Sequence, residues 1–162
     1  MIKMIVCSDI NGGIGYKNKL LFNIKEDLQF FKDKTIGHKI VMGYNTWMSL
    51  PNKPLPNREH YILTTRDNIK ESENVHVIRG VEEIIELGKH DDIFIIGGGR
   101  LYNEMICKGL VDEVYLTLVA TPVEQVDTNI DLFKMSRLLP YREYIKSLPG
   151  KHLAHVYRFY RR

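Results

Sequence analysis

Residues 93–102 read Ile93-Phe94-Ile95-Ile96-Gly97-Gly98-Gly99-Arg100-Leu101-Tyr102, and this stretch decides the fold class. Its four apolar residues have the length and composition of a buried strand. After the glycines, the spacing of Leu101, Met105 and Ile106 predicts a helix. A buried strand that leads directly into a helix is the repeating unit of α/β folds.

Strands and helices alternate in the same way along the rest of the chain. Short apolar runs rich in β-branched residues predict further strands at 2–7, 39–42, 60–63, 75–78 and 114–119. Apolar residues at helical spacing predict two more helices, one carrying Ile24, Leu28 and Phe31 and one carrying Val81, Ile84, Ile85 and Gly88. Strands separated by helices indicate a mainly parallel sheet that is covered on both faces.

The C-terminal part differs, because the turn dipeptide Pro149-Gly150 separates two predicted strands at 141–148 and 152–160. Strands joined by so short a turn must be antiparallel. The sequence contains no internal repeat and no linker. We therefore predict a single three-layer α/β domain over residues 1–162, with a mainly parallel mixed central sheet, an antiparallel C-terminal strand and helices on both faces.

Composition excludes several functional classes. Of the 162 residues, 44% are hydrophobic and 27% are charged, which is typical of a globular protein. No run approaches the roughly 20 apolar residues of a membrane span. The net charge of +3 comes from basic residues interspersed with acidic ones, which argues against nucleic-acid binding. Cys7 and Cys107 show no metal-binding or disulfide spacing, so we expect reduced thiols, no metal and a cytoplasmic location.

One carboxylate lies at an unusual position. Glu26 and Asp27 fall in the first turn of a predicted helix, where acidic residues usually complement the helix dipole. Asp27, however, has Ile24, Phe30 and Phe31 at helical spacing around it, on the border of the apolar face. Burial without a partner is costly for a carboxylate, so we expect a raised pKa and a role as an acid or a ligand anchor.

Two further groups of residues follow predicted strands, where open α/β sheets bind ligands. The amides of Gly97, Gly98 and Gly99 at a helix start suit a pyrophosphate, although a tight turn without a ligand explains them equally well. Thr64, Thr65, Arg66 and Arg79 suit a phosphomonoester, although each alone is typical of a solvated surface. The long glycine-containing segment 9–23 is either a lid or an ordinary surface loop. Together these features suit an NADPH-dependent reductase of a small polar heterocycle.

Over essentially its whole length the chain resembles the dihydrofolate reductases. The order and spacing of the shared motifs are specific, although no single motif is. The motifs are Gly13-Ile14-Gly15 with Asn18; Asp27-Leu28 with Phe31; Val41-Met42-Gly43 with Thr46-Trp47 and Ser49-Leu50; Pro54-Leu55-Pro56 with Arg58; Ile95-Ile96-Gly97-Gly98-Gly99 with Tyr102; and Leu116-Thr117.

The resemblance implies NADPH-dependent reduction of 7,8-dihydrofolate to 5,6,7,8-tetrahydrofolate, by hydride transfer to pterin C6 with protonation at N5. This reaction supports one-carbon metabolism and thymidylate synthesis. It also implies a monomer that binds dihydrofolate and antifolates.

In the substrate site, the resemblance implies that Asp27 binds the pterin ring, that Thr117 is its hydroxyl partner and that Phe22 lies beside them as the third catalytic position. It further implies that Arg58 pairs with the α-carboxylate of the glutamate tail. The implied substrate-binding residues are Ile5, Cys7, Asp27, Leu28, Phe31, Lys32, Ser49, Leu50, Lys53, Leu55, Arg58, Ile96, Tyr102 and Thr117.

For the cofactor, the resemblance implies that Thr65, Arg66 and Arg79 bind the 2′-phosphate, so that NADPH is preferred over NADH. The bond between Gly97 and Gly98 is typically cis in the family. The implied cofactor-binding residues are Cys7, Gly13, Ile14, Gly15, Tyr16, Asn18, Lys19, Leu20, Gly43, Tyr44, Asn45, Thr46, Leu63, Thr64, Thr65, Arg66, Arg79, Ile96, Gly97, Gly98, Gly99, Arg100, Leu101 and Tyr102.

Four residues, at three places in the chain, depart from the family pattern. Leu21-Phe22 stands where the family commonly has Pro-Trp, beside the pterin. Tyr44 stands where a basic residue often helps hold the cofactor phosphates. Val126 replaces a frequent glycine in the loop that supports the lid.

Two other functions remain open. A pyrimidine reductase of riboflavin synthesis has the same fold, but Asp27, Phe31 and Arg58 correspond to pterin and glutamate contacts. A non-catalytic nucleotide-binding protein is the alternative of a different class, and the change at Leu21-Phe22 leaves room for it.

Overall fold

The computed structural model describes residues 1–150 and 152–162. Within them the chain forms eleven strands and five helices. No helix among these residues is long and apolar enough to cross a membrane. In chain order the elements are β1 (Ile2–Asp9), β2 (Gly13–Tyr16), β3 (Lys19–Leu20), α1 (Lys25–Thr35), β4 (Lys39–Gly43), α2 (Tyr44–Ser49), β5 (Glu59–Leu63), β6 (Val75–Ile78), α3 (Val81–His90), β7 (Ile93–Gly97), α4 (Gly99–Cys107), β8 (Glu113–Val119), β9 (Thr128–Asn129), α5 (Leu132–Leu138), β10 (Tyr141–Leu148) and β11 (Ala154–Tyr160).

The central sheet has eight strands in the order β10-β11-β8-β1-β7-β4-β5-β6. The pairs from β8 to β6 are all parallel, whereas β11 is antiparallel to both of its neighbours. Strand β11 follows β10 after the turn at Pro149-Gly150. The predicted mainly parallel sheet with an antiparallel C-terminal strand is confirmed.

Helices cover both faces of this sheet. Successive side chains of a strand point to opposite faces, so Met4 and Ile5 enter two different core clusters. One cluster, on the first face, contains residues of α3, α4 and α5, such as Met105 of α4. The other, on the second face, contains Phe30 of α1, with Trp47 of α2 packed against it. The predicted three-layer arrangement is confirmed.

The helix α1 corrects one prediction about packing. The stripe of Ile24, Leu28 and Phe31 predicted its buried face, but Leu28 is 49% exposed and Phe30 is the buried apolar residue of the helix. Ile24 belongs to the core of the second face, whereas Leu28 lies on the wall of a small cavity and keeps contact with solvent. The apolar spacing of Leu28 therefore marks a cleft wall and not the core.

Short elements were missed because they are too short for a periodic pattern. Segment 9–23, interpreted from the sequence as either a lid or a surface loop, contains β2 and β3, which pair antiparallel and form a three-stranded sheet with β9. The helices α2 and α5, of six and seven residues, were not predicted from periodicity, although the resemblance implied a helix start at Asn45-Thr46. Strand β11 begins at Ala154, two residues after the predicted start.

A buried carboxylate ties together β1, β8 and β11. Glu113 is 3% exposed and accepts two hydrogen bonds from Arg158, at 3.0 and 2.7 Å. Its other oxygen lies 3.3 Å from Lys3 Nζ and accepts from the Tyr115 hydroxyl at 3.2 Å. Burial alone raises the pKa of Glu113, but the hydrogen bond from Arg158 and the charges of Lys3 and Arg158 outweigh it, so its pKa is lowered.

We expect Arg158→Met to reduce the free energy of unfolding by about 2–3 kcal/mol at neutral pH, because Glu113 stays buried while Lys3 remains its partner. A carboxyl group with a lowered pKa contributes stability above its unfolded pKa and loses it in acid. The difference in free energy of unfolding between the wild-type protein and Arg158→Met should therefore shrink below pH 4.5, the ordinary pKa of Glu. Urea denaturation at several pH values measures this difference.

The control is Arg161→Met, which removes the more exposed pair with Asp112 and should cost less than about 1 kcal/mol. Equal losses for the two variants at neutral pH would contradict the assigned role of Glu113.

Candidate active site

The candidate active site lies at the carboxyl ends of β1, β7 and β8, on the face covered by α1. The Thr117 hydroxyl of β8 donates to Asp27 Oδ1 at 2.5 Å. Cys7 of β1 is paired in register with Thr117, and its thiol also hydrogen-bonds Asp27. Two neighbouring strands thus each present one short donor to the same carboxylate.

The environment of Asp27 raises its pKa, as predicted. Burial is the main cause, and the hydrogen bonds from Thr117 and Cys7 oppose it. Burial and the nearby charge of Asp27 also raise the pKa of Cys7, so the thiol keeps its proton at neutral pH and remains a donor. The site therefore holds a carboxylate that is easier to protonate than an exposed one.

Apolar side chains surround this carboxylate. The Tyr102 hydroxyl donates to the Ile5 carbonyl at 2.7 Å and joins α4 to β1 beneath the site. Phe22, at the position of the Pro-Trp departure, meets the ring of His152 edge to face with 5.4 Å between ring centroids. A small cavity beside Asp27 is lined by Cys7, Ile14, Leu20, Leu21, Phe22, Ile24, Asp27 and Leu28.

Arg58 lies at the far end of the cleft and is held in place. It is 6% exposed, and it donates from Nε to the Pro56 carbonyl at 3.0 Å and from Nη1 to the Thr35 hydroxyl at 3.1 Å. Its guanidinium lies 5.9 Å from the centre of the Phe31 ring. Burial lowers the pKa of Arg58, yet an arginine remains charged. An oriented cation at this position can pair with a carboxylate.

Two buried polar residues near Arg58 were missed in the sequence. Thr35 is wholly buried at the end of α1 and positions Arg58. His60 lies in the predicted strand at 60–63, where it is 0% exposed and accepts a hydrogen bond from the Leu55 amide at 2.8 Å. The alternation of β5, which points residues 60 and 62 inward, was the available signal.

The glycine turn meets the start of α2, as a shared phosphate site requires. Gly98 is the N-cap of α4 and leaves the first-turn amides without a side-chain cap. The Gly97-Gly98 peptide bond is cis, in agreement with the resemblance. Gly97 has φ +144°, and a Cβ there would lie 2.9 Å from Thr46 Oγ1, so only glycine fits.

Arg66 and Arg79 lie together at the ends of β5 and β6. Arg79 Nη1 donates to the carbonyls of Thr64 and Arg66 at 2.7 and 2.9 Å, so it also holds the turn that carries Arg66. The Arg66 guanidinium lies 4.4 Å from the centre of the Tyr44 ring, whose hydroxyl accepts from Asn68 at 2.9 Å. Tyr44, one of the departures, thus supports a basic residue from the neighbouring strand.

The glycine-containing segment 9–23 is hydrogen-bonded to the loop of residues 120–127. Asp9 is 1% exposed and accepts from the amides of Gly13 at 2.7 Å and Val123 at 2.9 Å. The Lys17 amide donates to Asp127 at 2.9 Å. The third departure, Val126, packs against Gly13, where a Cβ would lie 3.0 Å from Val126 Cγ2. Glycine at 13 makes room for valine at 126.

The remaining predicted residues fall into three groups. The side chains of Leu63 and Leu101 pack with the core of the first face, so only their backbone atoms can contact a ligand in the site. Leu50, Leu55 and Ile96 pack against the core of the second face and line the cleft from behind. The third group is exposed to solvent and consists of Asn18, Lys19, Lys32, Asn45, Ser49, Lys53, Thr65 and Arg100.

A wider polar groove opens at the opposite edge of the sheet, between the starts of β4, β5 and β7. Lys39 and Asp91 form a 3.0 Å ion pair in it, and Arg58 is the one predicted site residue that borders it. The residues described contain no His, Cys, Asp and Glu cluster suited to a metal ion.

Comparisons with known proteins agree with this geometry. The family model described as dihydrofolate reductase matches residues 1–145. The dihydrofolate reductase of Ureaplasma parvum is 43% identical over 103 residues, 64% of this chain and 66% of that protein. That of Staphylococcus aureus strain Mu50 is 39% identical over 118 residues, 73% of this chain and 70% of that protein.

A longer relative and a solved structure extend the comparison. The bifunctional dihydrofolate reductase-thymidylate synthase of Paramecium tetraurelia is 35% identical over 80% of this chain, but the match spans only 27% of that protein. The structure of dihydrofolate reductase from Enterococcus faecalis, complexed with NADP(H) and RAB-propyl, has a TM-score of 0.76 and 29% identity, covering 99% of this chain and 95% of the other. The chain therefore belongs to the dihydrofolate reductase family.

Proposed function

We propose that this chain reduces 7,8-dihydrofolate to 5,6,7,8-tetrahydrofolate, with hydride transfer to pterin C6 and protonation of N5. The observation that carries the proposal is the half-buried carboxylate of Asp27, held by Thr117 in an apolar cleft. NADPH supplies the hydride when it is bound. Family membership supports the same reaction.

Asp27 acts by orienting the pterin. Its carboxylate accepts hydrogen bonds from the amino group and the adjacent ring nitrogen, while Thr117 fixes its direction. Because this edge of the ring is remote from N5, water is the immediate proton donor, and Asp27 raises the basicity of N5. Phe22 closes the wall beside the ring and helps exclude bulk water.

Arg58 binds the other end of the substrate, where it pairs with the α-carboxylate of the glutamate tail. The Thr35 and Pro56 contacts hold two guanidinium nitrogens and fix the direction of the group. Leu28, Phe31, Leu50 and Leu55 form the apolar wall around the pterin and the aminobenzoyl ring. Lys32, Ser49 and Lys53 lie on the rim, where a second carboxylate of the tail emerges.

The residues present fit a dinucleotide cofactor. The uncapped amides after Gly98 and the start of α2 at Asn45 and Thr46 would hold the phosphates. Thr65, Arg66 and Arg79 would hold the 2′-phosphate. Ile96 and Tyr102 would border the nicotinamide, with the segment from Gly13 to Leu20 laid over it.

The proposal also covers the domain organisation, the oligomeric state and the location of the protein. Residues 1–162 form one domain, because β1 and β11 flank the same central strand, β8. The enzyme acts as a monomer, since one chain supplies both the substrate and the cofactor contacts. The free thiols of Cys7 and Cys107 support a cytoplasmic location. Antifolates would compete with dihydrofolate for Asp27.

The decisive assay follows NADPH oxidation with and without dihydrofolate. We expect oxidation that depends on dihydrofolate, and a fall of about a hundredfold or more at neutral pH for Asp27→Asn, because the charged anchor is lost. Asp33→Asn is the control, since Asp33 is an exposed carboxylate on the same helix that contacts Gln29. Near wild-type turnover by Asp27→Asn would refute the assigned role.

Reduction of only a deaminated riboflavin precursor would favour the pyrimidine reductase, and no turnover of either would favour a binding protein.

Removal of a donor to Asp27 should raise its pKa further. A hydrogen bond to a charged group is worth about 1.5–3 kcal/mol, and Thr117→Val removes one without changing the side-chain shape. We expect the carboxyl carbon of Asp27 to titrate at higher pH in NMR spectra of Thr117→Val, and to move in the same direction for Cys7→Ala. Cys107→Ala should leave the titration unchanged. A shift to lower pH would contradict the assigned hydrogen bonds.

Arg66 should discriminate between the two nicotinamide cofactors. Loss of one charge-assisted contact to the 2′-phosphate costs about 1.5–3 kcal/mol, so Arg66→Gln should raise the KM for NADPH by about ten- to a hundredfold and leave that for NADH unchanged. Arg137→Gln, on the exposed side of α5, is the control. Equal changes for NADPH and NADH would place Arg66 outside the 2′-phosphate site.

A further inference from the structure

His60 is a buried polar residue with a defined set of partners. It lies on β5, is 0% exposed and points to the same face of the sheet as the candidate active site. The edge of its ring contacts Trp47, with 5.7 Å between the ring centroids. A fully buried imidazole needs hydrogen-bond partners for both ring nitrogens.

The partners fix the tautomer of the ring. The Leu55 amide donates to Nε2 at 2.8 Å, so Nε2 carries no hydrogen. Nδ1 therefore carries the hydrogen and donates towards the carbonyls of Arg58 at 3.1 Å and Asn74 at 3.2 Å. Burial lowers the pKa of His60 and favours the neutral ring, which Nε2 requires in order to accept from the Leu55 amide.

Two of these partners lie within and next to one exposed segment. Residues 51–57 are exposed except for Leu55, and three of the seven are prolines, which have no backbone N–H to offer. The Leu55 amide bonds this segment to the His60 ring, and the Arg58 carbonyl lies just beyond its C-terminal end. One imidazole thus sets the separation of Leu55 and Arg58.

We propose that His60 is a positioning residue for the substrate tail, because its imidazole holds the backbone of Leu55 and Arg58 at the spacing that the aminobenzoyl-glutamate group needs. The inference rests on the proposed function, which places these two residues against the aminobenzoyl ring and the α-carboxylate. His60 itself touches neither substrate nor cofactor.

Three substitutions separate its two hydrogen bonds. His60→Asn keeps a polar group at the δ position but is too short to accept from Leu55. His60→Gln places an amide oxygen near the position of Nε2 and restores that acceptor. His60→Leu removes both bonds while it keeps an apolar volume in the core.

The readout is the dissociation constant of dihydrofolate and of dihydropteroate, which lacks the glutamate. Trp47 is the only tryptophan and contacts His60, so quenching of its fluorescence reports binding in the intact protein. An unpaired buried amide shifts the segment, and we expect about tenfold weaker dihydrofolate binding for the Asn and Leu variants. Dihydropteroate should weaken by less than about threefold, and the Gln variant should recover most of the affinity for dihydrofolate.

The control is His76→Leu, which removes a partly exposed histidine of β6. His76 stacks on Tyr61, the neighbour of His60 in β5, and its loss should change neither dissociation constant. Equal weakening of the two ligands, or unchanged dihydrofolate binding by a folded Asn variant, would overturn the inference. If the Leu variant does not fold, the comparison of Asn with Gln decides it. Failure of the wild-type protein to bind dihydrofolate would overturn the proposed function itself, whereas wild-type binding with unaltered variants would overturn the inference alone.

Discussion

The parallel pairing of β1 with β8 is the constraint on which the site depends. Its register places Cys7 beside Thr117 at one end and Lys3 beside Glu113 at the other. A slip of one residue would turn every side chain of one strand to the opposite face. Thr117 would then leave Asp27, and Glu113 would leave its cations. The ion network and the candidate site therefore report on the same alignment, from opposite ends of the strands.

The half-buried carboxylate of Asp27, in the candidate site, also weakens the fold at neutral pH. The folded-state pKa of Asp27 is raised above its ordinary value, so its contribution favours folding in acid and is lost as the pH rises through the folded pKa. Glu113 behaves in the opposite sense, because its cations lower its pKa. The two buried carboxylates differ because one has charged partners and the other has only neutral donors, Thr117 and Cys7.

The sequence was sufficient for features that follow from local pattern. The run from Ile93 to the three glycines predicted a strand, a turn and a helix, and the apolar neighbours of Asp27 predicted a raised pKa. Features that arise only when distant segments meet were not accessible: nothing in the sequence indicated that the His60 ring would bond the Asn74 carbonyl or that Thr35 would hold Arg58. The exposure of Leu28 was also missed, since periodicity does not distinguish a cleft wall from a core.

The contact between Val126 and Gly13 couples these two positions. A Cβ at 13 would lie 3.0 Å from Val126 and 3.2 Å from Leu21, so these side chains would have to move by a few tenths of an ångström to admit it. A residue smaller than valine at 126 would remove the shorter of these two contacts, so the cost of a side chain at 13 depends on the residue at 126. The pair is a case of epistasis, in which the effect of one substitution depends on the residue already present at the other position.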